Sequence, residues 1–214
     1  MEVPVIGGKV SFYNETSKGP IKPSPVIGTL GLVDGMRHVQ KSGLSEHETI
    51  FLVGATLPEL GGSEYYEYIH KITGGTVPVV DMEVDKRNGD AVLKAIRNGI
   101  VSSAHDCSKG GLGVALSEMA ILGEAGLNVD LSMVPSSCSR MDELLFSESN
   151  SRYLVGTKDP EKLRITLSSE RVTFTEIGKS GGNMINLKTA NKPVARISLP
   201  SAKKQFYYLE KVMR

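Results

Sequence analysis

Four short segments carry residue types that chemistry uses. Near the start, "VIGGKVS" (residues 5–11) places two glycines, a lysine and a serine after an apolar run. These are the parts of a phosphate-binding loop, but the spacing is wrong for one. The loop pattern GxxxxGK[ST] needs an earlier glycine and a lysine directly beside the hydroxyl, and here Val10 separates Lys9 from Ser11. Two readings remain: a glycine bend where a phosphate approaches the backbone, or a bulge in a strand.

The second segment, "SSAHDCSKGGLGVALSEMA" (102–120), runs from a strand ending in His105 and Asp106 through Ser108 to Gly110 and Gly111, which open a helix. Free N–H groups at such a helix start favour an anion; the plainer reading is a helix cap with tight helix–strand packing. Neighbouring residues on a strand point to opposite faces, so His105 and Asp106 make no acid–base dyad, whereas Asp106 and Ser108 share a face. In the third segment, "ELLFSESNSRYLVG", Glu148 lies between Ser147 and Ser149, a carboxylate suited to a turn cap, a metal or a ribose hydroxyl. The fourth, "ATLPELGGSEYYEYI", reads as a helix N-terminus capped by Ser63. Cys107 and Cys138 lack metal or disulfide spacing and read as free thiols, Cys107 as a small buried residue. The four histidines show no metal-binding motif.

The elements that must position these residues follow from patterning. Strands are expected at 3–13 and 25–33, the latter ending in a turn at Asp34 and Gly35. The polar stretch 35–48 is the candidate domain boundary. A buried strand, "TIFLVGA", opens a mixed domain that continues through a helix over 85–98, the strand "IVSSAHD" and a helix with an apolar stripe of Leu112, Ala115, Leu116, Met119 and Ala120. Then come "LNVDLSM", a short helix or turn "MDELLFSE", the strand "RYLVGT", a helix from Asp159 to Leu167, and the strands "RVTFTEIG", "MINLK" and "VARISL". A closing helix is expected to bury Phe206, Leu209 and Val212. Strands in runs among helices indicate an α+β fold. The first two strands have no core of their own, since about 35 residues do not make an independent domain; either the chain is a fragment or those strands must pair with another chain.

Composition bounds the function. With 214 residues, 40% of them hydrophobic, and a net charge of +1, nothing favours nucleic acid or a membrane surface. No apolar run approaches the roughly 20 residues of a membrane span, and no signal peptide is visible. The expectation is a cytoplasmic protein.

Taken in order, "PVIGGKVSFYNET", "PSPVIGTLGLVD", "ELGGSEYY", "SAHDCSKGGLGVALSEMA" and "LLFSESNSRYLV" resemble the C-terminal half of the synthetase subunits of the phosphoribosylformylglycinamidine synthase family. The resemblance implies that residues 1–35 are the end of a truncated AIR-synthetase N-terminal-like domain and 36–214 a complete AIR-synthetase C-terminal-like domain. It implies an ATP-dependent ligase of purine biosynthesis that uses ATP and Mg²⁺ and makes formylglycinamidine ribonucleotide from formylglycinamide ribonucleotide and ammonia. Its partners would be the missing N-terminal part of the subunit, a glutaminase subunit and a small accessory subunit. Residue by residue, Gly8 falls on a nucleotide contact and Ser11 on a substrate contact. Lys9 falls where the family has an asparagine that helps bind magnesium, and an ammonium cannot ligate that metal. No catalytic residue is carried over. His105, Asp106, Ser108, Gly110, Gly111, Glu148 and Ser149 match motifs bordering a second nucleotide site. The chain alone is expected to be inactive and to form a homodimer through its exposed N-terminal strands. The alternatives are a non-catalytic interaction module of the same fold, or another ATP-dependent synthetase of the superfamily.

Overall fold

The computed structural model describes residues 3–9, 13–21 and 24–208. They fall into two compact units, Met1–Asp34 and Gly35–Arg214.

Among its described residues the first unit holds one hairpin, β1 (Glu15–Thr16) with β2 (Gly19–Pro20). The strands expected at 3–13 and 25–33 are absent among its described residues. A strand exists only as one side of a hydrogen-bonded ladder, and among the described residues these segments have no ladder partner. Val5, Ile6, Val26, Leu30 and Leu32 are each more than nine-tenths exposed.

The second unit is built on a seven-stranded sheet. Its central strand, β3 (Thr49–Val53), is buried along its whole length, as a continuous apolar run between two covered faces should be. Asp81 caps α1 (Met82–Arg97), its carboxylate accepting from Glu83 N at 3.0 Å and Val84 N at 3.1 Å. β4 (Ser103–Asp106) leads into α2 (Gly111–Gly123), then β5 (Leu127–Asp130), a 3-10 turn (Leu131–Met133) and α3 (Met141–Phe146). The rest is β6 (Tyr153–Thr157), α4 (Pro160–Ser169), β7 (Phe174–Ser180), β8 (Met184–Thr189), β9 (Lys192–Ser198) and α5 (Leu199–Phe206).

The strand order is β4-β6-β3-β7-β5-β8-β9, antiparallel throughout except for the β5–β8 pair. One parallel pair in an otherwise antiparallel sheet is an α+β arrangement, as the patterning indicates. One face packs on α2, whose Leu112, Ala115, Leu116, Met119 and Ala120 are all buried with Ile50, Leu52, Leu154 and Ile177. The other face packs on α1 and α4 through Ala91, Val92, Ala95, Leu163 and Leu167 against Phe51, Val53 and Val155.

The units divide at Asp34 and Gly35, at the start of the stretch 35–48; the end of that stretch packs into the second unit, where Leu44 N donates to Met119 O at 2.9 Å and Leu44 and Glu48 are buried. One further expectation changes. Phe206, in the last turn of α5, is 43% exposed rather than buried. Leu209 and Val212 lie outside the described residues.

Candidate functional site

The second, third and fourth segments meet at the N-terminus of α2. Gly110 takes the left-handed conformation there (φ 76°), and so does Gly111 (φ +66°). Glu148, which follows α3 after Ser147, reaches across to this helix start. Its Oε1 accepts from Gly110 N at 2.8 Å and from Glu64 N at 2.9 Å. One carboxylate therefore ties the start of α2 to the start of the wide helical turn Tyr65–His70. Gly111 N donates to Ser108 O at 3.0 Å. The anion position that tandem glycines suggest is filled by the chain's own acid, which also complements the helix dipole.

The two serines flanking Glu148 complete the junction. Ser147 Oγ accepts from Glu59 N at 3.0 Å, and Ser149 Oγ accepts from Leu57 N at 3.0 Å. Arg152, 1% exposed, donates to Ser149 O at 2.9 Å, to Thr56 Oγ1 at 2.9 Å and to Ser147 O at 2.6 Å. Burial pulls its guanidinium below the usual arginine value, and the three oxygens it bonds are all uncharged. Its planar fork suits this arrangement, since several donors in fixed directions can hold three carbonyl or hydroxyl oxygens at once. The sequence reading overlooked Arg152. A charged residue opening the apolar strand "YLVGT" was the available signal, because a buried charge must find partners.

The histidine goes elsewhere. His105 Nδ1 lies 2.6 Å from Asp106 O and 3.8 Å from the Asp106 carboxylate, while Nε2 lies 3.4 Å from Glu118 Oε2 on α2. Glu118 is the ring's acidic neighbour across the strand–helix packing, and it too was missed. Asp106 and Ser108 are exposed. Cys107 is buried, and burial pushes its thiol up to about 11; it is a core residue, protonated and unreactive at neutral pH.

Beside the Glu148 junction lies an apolar cleft of about 410 Å³ lined by Tyr65, Tyr68, Ile69, Gly110, Val114 and Phe146. Tyr65 and Phe146 stack with centroids 4.8 Å apart and planes 7° from parallel. In the first unit, Gly8 and Lys9 are exposed, and a Cβ at Gly7 or Gly8 would meet nothing within 4 Å. Ser11 lies outside the described residues. Among the described residues, no group of three His, Cys, Asp or Glu side chains is placed to hold a metal ion. No helix among them is long and apolar enough to cross a membrane.

Comparison with solved structures gives the class. The fold is shared with T. maritima PurL complexed with FGAR, at a TM-score of 0.66 and 22% identity over 77% of this chain and 29% of that one. It is shared more distantly with the hydrogenase maturation protein HypE in complex with ATP, at 0.53 and 15%, over 76% of this chain and 55% of that one. Residues 45–184 match the family of AIR synthase related proteins, C-terminal domain, and the chain belongs to that family. It is 39% identical to the phosphoribosylformylglycinamidine synthase subunit PurL of Methanocaldococcus jannaschii over 215 residues, which is 96% of this chain and 29% of that one. Against the corresponding subunit of Thermococcus kodakarensis the identity is 44% over 178 residues, 83% of this chain and 24% of the relative. The chain thus spans less than a third of the length of these relatives.

Proposed function

We propose that this chain acts as the C-terminal portion of the synthetase subunit of a phosphoribosylformylglycinamidine synthase. What carries the reading is the M. jannaschii match, which extends over 96% of the chain and so is not confined to the shared domain. In that reaction ATP phosphorylates the amide oxygen of formylglycinamide ribonucleotide, and ammonia displaces phosphate to give formylglycinamidine ribonucleotide. The ammonia would come from a glutaminase subunit, with a small accessory subunit in the assembly. A cytoplasmic location goes with this reading.

The chain's share of that chemistry is small. Gly8 would let a nucleotide phosphate approach the backbone, since nothing in its surroundings explains the absence of a side chain. Ser11 would contact the substrate. Lys9, exposed, would meet a phosphate as a point charge, and we assign no magnesium ligand to this chain. Residues 1–35 would be the end of an N-terminal-type domain and 36–214 a C-terminal-type domain. His105, Asp106, Ser108, Gly110, Gly111, Glu148 and Ser149 would border a second nucleotide site, with Glu148 holding the helix start instead of a phosphate.

A calorimetric titration with Mg·ATP tests this, run on the chain alone and after mixing with the remaining portion of the subunit. Binding and substrate-dependent ATP hydrolysis in the mixture only is the expected result. Turnover by the chain alone, or none in a mixture that binds, would overturn it. Lys9 favours a second reading, an interaction module that has lost its chemistry. Under that reading Lys9→Asn would raise the activity of the completed subunit strongly; under ours the change is small.

A further inference from the structure

The α1–α4 layer stops at β7. No residue of β5, β8 or β9 belongs to the cluster those helices cover, so among the described residues of the second unit this half of the sheet has no helix layer over it on that side. Its composition is specific. Lys179 on β7 pairs with Asn128 on β5, Asn128 with Asn186 on β8, and Asn186 with Arg196 on β9. Residues paired across neighbouring strands stand on the same face. They make one straight row, two amides between two cations. Their sequence neighbours Leu127, Val129, Ile185 and Leu187 are buried in the opposite core, which fixes this row outward by the alternation of strand side chains.

The row is left with binding capacity to spare. Asn186 Nδ2 donates to Asn128 Oδ1 at 2.9 Å, which leaves the Asn128 amide group and the second Asn186 N–H available as donors. Lys179, Asn128 and Arg196 are exposed. Among the described residues the ion pairs do not engage Lys179 or Arg196. Asp130, one step further along β5, is already taken up by Ser132, by Ala190 N at 3.0 Å and by Lys188 at 3.8 Å. A cleft of about 270 Å³ lies alongside, lined by Asn128, Asn186, Lys188 and Arg196 among others.

We propose that this face docks an extended acidic segment of a partner protein, laid across the strands. The spacing sets the partner's pattern. Three steps between strands of roughly 4.8 Å separate Lys179 from Arg196 by about 14 Å. An extended chain advances roughly 3.4 Å per residue, so about four residues cover that span. The partner therefore carries two carboxylates four residues apart. An even separation puts both on the side facing the sheet, and the residue between them meets the asparagine pair. Carboxylates suit these cations, and the amide donors between them suit a polar residue. The row itself has no aromatic side chain on which nucleobases would stack, which argues against a single-stranded nucleic acid.

The test is fluorescence anisotropy on the full 214-residue chain. The probe is a labelled threonine–serine peptide with two glutamates four residues apart, and its control has the glutamates three apart. The i, i+4 peptide should bind with salt-sensitive affinity and the i, i+3 peptide roughly tenfold more weakly. The double variant Lys179→Glu/Arg196→Glu should lose binding by roughly tenfold or more. The control variant Arg87→Glu/Arg97→Glu on α1, with the same change in net charge, should keep it. Circular dichroism melts establish that both variants fold; if the first does not, Lys179→Gln/Arg196→Gln replaces it. No binding of the i, i+4 peptide, equal binding of both peptides, equal loss in both variants, or tighter binding of an oligouridylate of equal charge would each overturn the proposal.

Discussion

Gly110 and Gly111 sit where a side chain would strike its neighbours, whereas Gly7 and Gly8 have open surroundings. A Cβ on Gly110 would collide with Val114, and one on Gly111 would collide with Ser147 O and come within 2.9 Å of Leu145 O. Both residues also hold positive φ. At Gly7 and Gly8 a Cβ would meet nothing within 4 Å. The two pairs look alike as sequence and answer to different constraints. The first is required by backbone conformation and packing around the Glu148 junction. The second meets no neighbour among the described residues that would require glycine.

The sharpest way to break this contrast is Gly111→Ala. It adds left-handed strain to a clash with main-chain oxygens, which cannot move aside as a side chain can. We expect a loss of about 4 kcal/mol in urea unfolding; a loss below about 1 kcal/mol would show that the junction yields readily. Next in size is Arg152→Met, which leaves Thr56 Oγ1 and the carbonyls of Ser147 and Ser149 buried without their donor. The expected cost is about 3 kcal/mol, read as a lower denaturant midpoint with an unchanged slope.

Glu148→Gln keeps the oxygen that accepts from Gly110 and Glu64 but removes the charge at the helix start. It should cost about 1 kcal/mol, and faster amide exchange should be confined to the first turn of α2 and the segment around Glu64. The smallest effect belongs to the other pair. Gly8→Ala should change stability by less than about 0.5 kcal/mol while weakening nucleotide binding by the completed subunit. A stability loss comparable to that of Gly111→Ala would erase the distinction.

What was legible in the sequence was local or periodic. The stripe on α2 has helical spacing, β3 is a continuous apolar run, and the helices expected over 85–98 and from Asp159 to Leu167 are found as α1 (Met82–Arg97) and α4 (Pro160–Ser169). Such signals involve residues within about four positions of each other, so the chain displays them directly. The strands expected at 3–13 and 25–33 show the limit of that logic. Their alternation and apolar content suit a strand, but a ladder needs a second strand, and pattern alone supplies none.

The sequence by itself therefore determined the α+β class, the elements of the second unit and the family resemblance that their motifs carry. Only the tertiary structure decided what the chemistry-bearing residues do. Glu148 meets Gly110 across 38 residues and Glu64 across 84, and Arg152 meets Thr56 across 96. It also turned His105 to Glu118 and aligned Lys179, Asn128, Asn186 and Arg196 on the half of the sheet that α1 and α4 do not cover. The physical reason is the same in each case. A hydrogen bond or ion pair acts over about 3 Å in space, and which distant residues come that close is set by strand order and helix packing, which no short stretch of the chain encodes.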